Sequence, residues 1–232
     1  MVNIEKHRIV MVQMLKDIYS TGILAASLGF KGGTALYLLY SLPRFSVDLD
    51  FTFLGSESKD SVYDELGIIL ARYGTIKERY IKKNTLFFLL SYGDEDRNIK
   101  VEVSMRDFGD IYGIKDYMGI GLRVMRKEDM LSHKLCALLD RKEIANRDIF
   151  DIWFMLKHAW AVNPALIKAR MKMDLKEYLR KCIEAVNKVN NSHILFGLGD
   201  LLGPDMKSWA RLSLKKDALF LLENYKNKPV VI

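Results

Sequence analysis

The segment "SVDLDFTFL", residues 46–54, alternates polar and apolar side chains at almost every position. Successive side chains of a β-strand point to opposite faces, so this pattern predicts a half-buried strand and argues against a helix. Asp48 and Asp50 lie two positions apart and therefore share the open face with Thr52. Their carboxylates are close enough to hold one divalent ion, although an exposed strand face can also carry acidic residues without any ligand.

The segments around this strand predict an α+β fold. Helices are expected over residues 4–28, from the glycine pair that precedes "SLPR", and over residues 59–73. The segments "TLFFLLSYG" and "IKVEVSM" are separated by "DEDRN" and predict a β-hairpin, and "GIGLRVM" is a weaker strand candidate. From Arg126 onward the pattern is mostly helical, with breaks near "NPA", "GLGDLLGPD" and "NKP". We therefore predict an α+β domain over residues 1–125, with a small β-sheet and flanking helices, and a helical domain over residues 126–232.

A glycine pair stands at the predicted start of the second helix. Gly32 and Gly33 allow the backbone to approach a ligand and expose N–H groups at a helix N-terminus, which favours anions such as a triphosphate. Thr34 adds a hydroxyl donor. The P-loop pattern GxxxxGK[ST] is absent. The alternative is a glycine turn capped by Thr34.

A third carboxylate is expected if the site performs two-metal phosphoryl transfer. Glu102 lies with Lys100 on the polar face of "IKVEV", where Ile99, Val101 and Val103 form the apolar face. Glu102 is the preferred candidate. Asp107 in "SMRDF" is the alternative.

The stretch "KGGTALYLLYSLPRFSVDLDF" resembles the signature of the AbiEii/AbiGii-type nucleotidyltransferase toxins, a branch of the DNA polymerase β-like superfamily. The resemblance implies the small mixed β-sheet of nucleotidyltransferases, an NTP substrate, Mg²⁺ with Mn²⁺ as the alternative ion, and a cognate antitoxin as partner. It implies metal binding by one set of residues: Asp48, Asp50 and Glu102. It implies nucleotide binding by a second set: Gly32, Gly33, Thr34, Arg44, Ser46 and Lys134.

A second match lies in the helical half. The segment "HKLCALLDRKEIANRDIFDIWFML" resembles a later motif of the same family. The resemblance makes Lys134 a catalytic candidate and implies a supporting role for four further residues: Arg141, Arg147, Asp148 and Asp151. Lys134 and Arg141 are seven positions apart, so one helical face can present both cations to phosphates. Arg147 and Asp151 could equally form an ordinary i,i+4 ion pair.

The charge is unevenly distributed. Residues 157–232 carry 14 lysines and arginines against 7 aspartates and glutamates, whereas residues 1–156 carry 22 of each. A basic segment of this kind can bind a phosphate backbone, and for some relatives the family resemblance implies that the acceptor is the end of a tRNA. The C-terminal helices are therefore a candidate surface for an RNA acceptor. The alternative is a solvated helix face.

The remaining composition favours a cytoplasmic protein. Cys136 and Cys182 lie in apolar, helix-like runs without CxxC spacing and are expected to be reduced, buried thiols. Charges interrupt the N-terminal segment, and no stretch reaches the ~18 apolar residues of a spanning helix. Two other functions remain open at this point: a binding module without turnover, and a phosphotransferase that modifies a protein.

Overall fold

The structure is a computed structural model that describes residues 3–93 and 97–228. The chain divides into two compact units. The first is formed by the residues up to 41 together with 45–107 and 112–125. The second is formed by residues 42–44, 108–111 and those from 126 onward. Two short segments of the N-terminal half therefore belong to the second unit.

The first unit is built on a mixed sheet. Its strands are β1 (Leu28–Lys31), β2 (Leu49–Phe53), β3 (Thr75–Lys82), β4 (Thr85–Ser91), β5 (Ile99–Ser104), β6 (Tyr112–Tyr117) and β7 (Ile120–Met125). They form one seven-stranded sheet in the order β3-β4-β5-β2-β1-β7-β6. The pairs β2–β5 and β1–β7 are parallel, and the other neighbours are antiparallel. This arrangement confirms the predicted α+β fold with a mixed sheet.

The described residues of the first unit form four helices: α1 (Ile4–Ser20), α2 (Gly22–Ser27), α3 (Gly32–Tyr40) and α4 (Lys59–Ala71). The prediction of one helix over residues 4–28 is wrong at its C-terminal end. Thr21 adopts an extended conformation, and its hydroxyl donates to the Asp17 carbonyl at 3.0 Å. Such a local side-chain bond competes with helix continuation, so the helix is interrupted there, and residue 28 already begins β1.

The alternation of the central strand is confirmed up to Phe51 and is wrong beyond it, since Thr52, expected on the open face, is buried and Phe53, expected to be buried, is half-buried. Leu49 and Phe51 are fully buried, whereas Asp48 and Asp50 are only partly buried. The predicted hairpin is also confirmed as the antiparallel pair β4–β5, although residues 94–96 of its "DEDRN" turn lie outside the described residues. The sequence pattern did not reveal β3 and β6. Both are edge strands whose side chains are exposed or half-buried, so they carry no apolar stripe.

The second unit is helical. It contains α5 (Lys127–Asp140), α6 (Asn146–Lys157), α7 (Pro164–Met171), α8 (Leu175–Lys188) and α9 (Pro204–Asn227), with 3₁₀ turns at Asn191–His193 and Gly199–Leu201. The predicted breaks at "NPA" and "GLGDLLGPD" are confirmed. At the first, the Asn163 side chain accepts from the N–H groups of Ala165 and Leu166, so it caps the helix that Pro164 begins. The third predicted break, at "NKP", falls partly outside the described residues.

Two buried thiols contribute to the helical core. Cys136 and Cys182 are free and fully buried, as expected from their apolar surroundings. Burial raises the pKa of both thiols, that of Cys136 to about 12, so they remain protonated at neutral pH. None of the described helices combines the length and apolar character that a membrane crossing requires.

Candidate functional site

The acidic side chains meet at the centre of the sheet. Asp50 on β2 is the direct pairing partner of Glu102 on the parallel strand β5. Residues opposite each other in neighbouring strands point to the same face, so the two carboxylates lie side by side. Asp48 immediately precedes β2 and is two residues from Asp50, which places it on that face as well. The structure therefore brings together the three acids that the sequence motifs predict.

Lys100 lies among these carboxylates. Its Nζ is 3.7 Å from Oδ2 of Asp48 and 3.5 Å from Oε2 of Glu102. Its backbone N–H donates to Oδ1 of Asp48 at 3.3 Å. Burial lowers the pKa of Lys100, but the charges of Asp50, Asp48 and Glu102 outweigh this effect and leave the pKa raised. All three acids therefore stabilise one positive charge.

The sequence motifs did not assign a role to Lys100. The alternation of "IKVEV" places Lys100 on the same face as Glu102, and the structure confirms that face. The strand pairing that brings Lys100 next to Asp48 joins segments 52 residues apart. A single sequence carries no signal for that pairing.

The alternative third acid lies elsewhere along the chain. Asp107 is exposed and lies three residues beyond the end of β5 at Ser104. It does not pair with β2, whereas Glu102 is in register with Asp50. The strand register therefore favours Glu102 as the third carboxylate.

The glycine pair brings a helix N-terminus against the acidic strand. Gly32 begins α3 with φ +82°, and a Cβ at this position would lie 2.5 Å from Oδ2 of Asp50. Glycine is required here for both reasons, since a side chain would be strained and would collide with the carboxylate. The N-cap residue Lys31 makes no side-chain capping hydrogen bond to the helix. The positive end of the α3 dipole thus adjoins the carboxylates.

The hydroxyl of Thr34 makes hydrogen-bond contacts within the first unit. Thr34 is fully buried, and its hydroxyl donates to the backbone carbonyl of Asp48 and lies 2.9 Å from Oγ of Ser46. Ser46 is also buried. These contacts tie the start of α3 to the segment that leads into β2. Thr34 and Ser46 therefore fix the backbone from which the Asp48 carboxylate projects.

The second unit contains a separate cluster of buried charges. Arg44 is buried and donates two hydrogen bonds to Asp151, at 2.6 and 2.7 Å. Lys134 on α5 places its Nζ 2.7 Å from Oδ1 of Asp148 and 2.7 Å from Oδ2 of Asp151, both on α6. The cluster thus joins α5, α6 and the segment 42–44.

The pKa values within this cluster reflect its pairing. Burial lowers the pKa of Lys134, but Asp148 and Asp151 outweigh burial, and the pKa is raised. Burial raises the pKa of Asp151, but Arg44 and Lys134 hold it below its usual range. Both groups are therefore charged at neutral pH.

The two remaining arginines of the second motif lie nearer the surface. Arg141 caps α5, and its guanidinium is 3.5 Å from Oδ2 of Asp148. Arg147 is half-buried at the start of α6. Asp151 is engaged by Arg44 and Lys134 rather than by Arg147, so the i,i+4 pair considered from the sequence is not the one that the structure shows.

The acidic cluster suits a hard cation. Within residues 3–93 and 97–228, no group of three or more Asp, Glu, His or Cys side chains is drawn together as a ready metal cage. Asp48 and Glu102 instead share the ammonium of Lys100, which shows that these oxygens can face one positive charge. Carboxylate oxygens are the ligands that Mg²⁺ prefers. The donor set therefore fits a divalent ion that takes part of its coordination from substrate phosphates.

Solved structures share the fold of this chain. A proposed nucleotidyltransferase from H. pylori has 23% identity and a TM-score of 0.62, with 96% of each chain covered. JHP933 from Helicobacter pylori has 23% identity and a TM-score of 0.61, with 97% of this chain and 94% of that chain covered. At this identity the likeness establishes the fold. A comparison with curated proteins gives no match.

The family model for the nucleotidyl transferase AbiEii toxin of type IV toxin–antitoxin systems matches residues 13–194. The match includes both sequence motifs and the whole sheet. It confirms the predicted family and the prediction that the protein is a nucleotidyltransferase. The chain belongs to the AbiEii family of nucleotidyl transferase toxins.

Proposed function

We propose that the chain transfers a nucleoside monophosphate from an NTP to an acceptor hydroxyl, with a divalent ion held by Asp48, Asp50 and Glu102. The register of β2 and β5 carries this proposal, because it sets Asp50 directly beside Glu102. Lys100, shared by Asp48 and Glu102, supports it further, since the site already concentrates negative charge on one cation. Mg²⁺ is the expected ion and Mn²⁺ the alternative.

The N-terminus of α3 is proposed to bind the triphosphate. Its first amide groups follow Gly32 and Gly33, where the backbone comes against the Asp50 carboxylate. A helix N-terminus favours anions through its exposed N–H groups and its dipole. Thr34 and Ser46 act indirectly by holding the Asp48 backbone. Triphosphate and carboxylates would therefore meet at the end of α3.

The proposed reaction is an in-line displacement at the α-phosphorus. A bond forms between the acceptor oxygen and the α-phosphorus, the bond to the β-phosphate oxygen breaks, and pyrophosphate leaves. The hydroxyl proton passes to a carboxylate oxygen of the acidic set and then to solvent. A bound divalent ion supplies charge neutralisation and polarises the acceptor hydroxyl.

Lys134 is proposed to act by positioning. Its ammonium is already neutralised by two carboxylates at 2.7 Å, which argues against a direct phosphate contact. Arg44, Asp148 and Asp151 complete the same cluster. We expect this cluster to hold the helices of the second unit in a fixed arrangement.

The acceptor is proposed to be RNA, and the biological role that of a toxin with a cognate antitoxin. The family description supports the toxin role. Residues 157–232 contain 14 basic and 7 acidic residues, and this excess of positive charge supports a polyanionic acceptor. Growth arrest on expression of the wild type, absent with Asp50→Asn, would test the toxin role in cells.

The enzymatic test uses labelled NTPs, Mg²⁺ and total RNA. The wild type is expected to label RNA, and Asp50→Asn and Glu102→Gln are expected to lose at least ~100-fold in rate, as for other residues that stabilise the transition state. Asp60→Asn on α4 is the matched control, since Asp60 is exposed in the first turn of that helix. Asp107→Asn tests the alternative third acid and is expected to remain active.

The mass of the product identifies the group that is transferred. Addition of a nucleoside monophosphate supports the proposal, whereas addition of a phosphate alone identifies a phosphotransferase. Equal labelling by the wild type and Asp50→Asn would rule out the proposed site. Labelling by neither, with any NTP, would rule out these RNAs as acceptors.

A further inference from the structure

A pair of aromatic side chains lies in line with the carboxylates. Tyr80 on β3 pairs with Phe87 on β4, Phe87 pairs with Glu102 on β5, and Glu102 pairs with Asp50 on β2. Directly paired residues in neighbouring strands share a face. One row of side chains therefore crosses four adjacent strands, from the edge of the sheet to the acidic cluster.

The two rings form a stack that points along this row. Their centroids are 4.6 Å apart, and their planes differ by 6°. The Nζ of Lys82 lies 4.3 Å from the centroid of Tyr80. Tyr80 covers one face of the Phe87 ring, and the other face is directed toward β5. Neighbouring strands are about 4.8 Å apart, which is close to the spacing of stacked rings. A third flat ring stacked on Phe87 would therefore lie above β5, next to Glu102.

These rings lie outside the core of the unit. Phe88 and Leu86, on the opposite face of β4, are fully buried, whereas Phe87 and Tyr80 are half-buried. A cross-strand aromatic pair also stabilises a hairpin, and that contribution is expected here. Hairpin stability does not require the pair to stand in register with Asp50 and Glu102.

The edge strand is rich in exposed cations. The segment "TIKERYIKK", residues 75–83, contains four basic residues and one acidic residue, and its three lysines are exposed. The fourth basic residue, Arg79, lies over the ring of Tyr63 on α4 and so belongs to the face opposite Tyr80. Lysines on an edge strand also prevent unwanted strand pairing. Aromatic rings that stack bases, next to cations that follow a phosphate backbone, are the features with which proteins bind single-stranded nucleic acid.

We propose that β3 and β4 bind the unpaired end of the acceptor nucleic acid, with one base extending the Phe87–Tyr80 stack and the phosphates beside Lys82 and its exposed neighbours. Two strand spacings, about 10 Å, separate Phe87 from Asp50, so a terminal hydroxyl beside the stacked base reaches the acidic cluster. This inference rests on the proposed transfer reaction for its purpose. The binding itself can be measured without any turnover.

The test is a binding measurement by fluorescence anisotropy. The probes are a labelled ten-nucleotide single-stranded RNA and a blunt duplex of the same composition, with the full-length protein. Single-stranded RNA is expected to bind more tightly than the duplex. Phe87→Leu and Tyr80→Leu are each expected to raise its Kd by about 5- to 150-fold, because stacking contributes ~1–3 kcal/mol per base.

Charge and fold are controlled separately. Lys82→Ala is expected to weaken binding and to reduce the salt dependence of log Kd by about 0.7, the slope for one phosphate contact on a single strand. Lys115→Ala removes an exposed lysine from β6, the opposite edge strand of the same sheet, and is expected to leave the Kd within about twofold. Urea unfolding of each variant shows whether it is folded under the assay conditions.

Three results would overturn the proposal. The first is an unchanged Kd for folded Phe87→Leu and Tyr80→Leu. The second is an equal loss of affinity for a labelled NTP, which would assign the rings to the donor base. The third is a wild type that prefers the blunt duplex. Asp50→Asn is expected to lose transfer and to keep the RNA affinity of the wild type, so failure of the reaction and failure of the binding site are distinguishable.

Discussion

A Cβ atom at Gly32 would lie 2.5 Å from Oδ2 of Asp50, so the N-terminus of α3 and the acidic strand leave no room for a side chain between them. Gly32 belongs to the backbone that is proposed to bind the triphosphate, and Asp50 is proposed to bind its counterion. The two parts of the proposed site are therefore adjacent at this point. Substitution at Gly32 tests this contact directly.

Gly32→Ala is expected to lower the rate of nucleotidyl transfer by at least ~10-fold and to destabilise the protein by about 1–3 kcal/mol. The added methyl group displaces Asp50 and strains a residue with φ +82°. Gly55→Ala is the matched control, because Gly55 has φ +76° but nothing within 4 Å of a Cβ. It should lose about 1 kcal/mol and retain transfer. Equal effects of the two substitutions on stability and rate would show that the contact with Asp50 is unimportant.

Lys100→Met is expected to increase the affinity of the acidic cluster for Mn²⁺ by about tenfold, since it removes a positive charge that faces three carboxylates. The measurement is the electron paramagnetic resonance of free Mn²⁺ during titration with the protein. Lys100→Arg keeps the charge and serves as the control. Wild-type affinity in Lys100→Met would show that the ammonium and the metal ion do not compete.

Lys134→Met is expected to destabilise the second unit by about 3–5 kcal/mol, because it leaves the buried Asp148 with only the half-exposed Arg141 and removes one of the two cations that contact Asp151. Lys134→Met is also expected to lower the transfer rate. The double variant Lys134→Met, Asp148→Asn should recover part of the lost stability and part of the lost rate. Arg141→Ala is the control: its guanidinium is 45% exposed and 3.5 Å from Asp148, so a change below about 1 kcal/mol is expected.

The recovery distinguishes two roles for Lys134. Recovery of stability together with transfer supports a positioning role. If the double variant recovers stability while transfer remains absent, Lys134 contacts the nucleotide directly. Chemical unfolding and the transfer assay are performed on the same preparations.

Asp151 should make stability depend on pH in the acid range. Its pKa is lowered in the folded protein, so its contribution is present above the unfolded value of about 3.9 and is lost as the pH falls through the folded value. The difference in unfolding free energy between the wild type and Asp151→Asn is therefore expected to be constant above about pH 5 and to shrink below about pH 4. A difference that grows on acidification would contradict this assignment. Denaturant unfolding between pH 3 and pH 7 provides the measurement.

Local patterns predict much of the first unit. The alternation of residues 47–51 shows which side chains are buried as the chain enters β2, and the glycine pair marks the start of α3. The same alternation in β5 places Glu102 on a polar face. These features depend on neighbouring residues, and a single sequence contains them.

Contacts between residues that are far apart in the chain could not be predicted from the sequence. The partner of Arg44 is Asp151, 107 residues later, and the two motifs that contain them gave no reason to pair them. Lys100 was visible on the polar face of its strand, but its position beside Asp48 depends on the parallel pairing of β2 and β5. Edge strand β3 lacks a buried stripe, so its aromatic residue became informative only when the register was known.

The order of strands also determines when this protein can become active during synthesis. The acidic set includes Glu102 on β5, and α4 and the β3–β4 hairpin separate β5 from β2 along the chain. The sheet also needs β7, because Phe30 on β1 pairs with Val124 on that strand. Long-range pairing of this kind must overcome loop-closure entropy before its contacts stabilise the fold, and such topologies fold slowly. A ribosome that has translated only the first motif has therefore made Asp48 and Asp50 without their third carboxylate. A nascent chain that ends before β5 is therefore expected to be inactive, and the sheet that carries the proposed site is complete only after β7 has emerged.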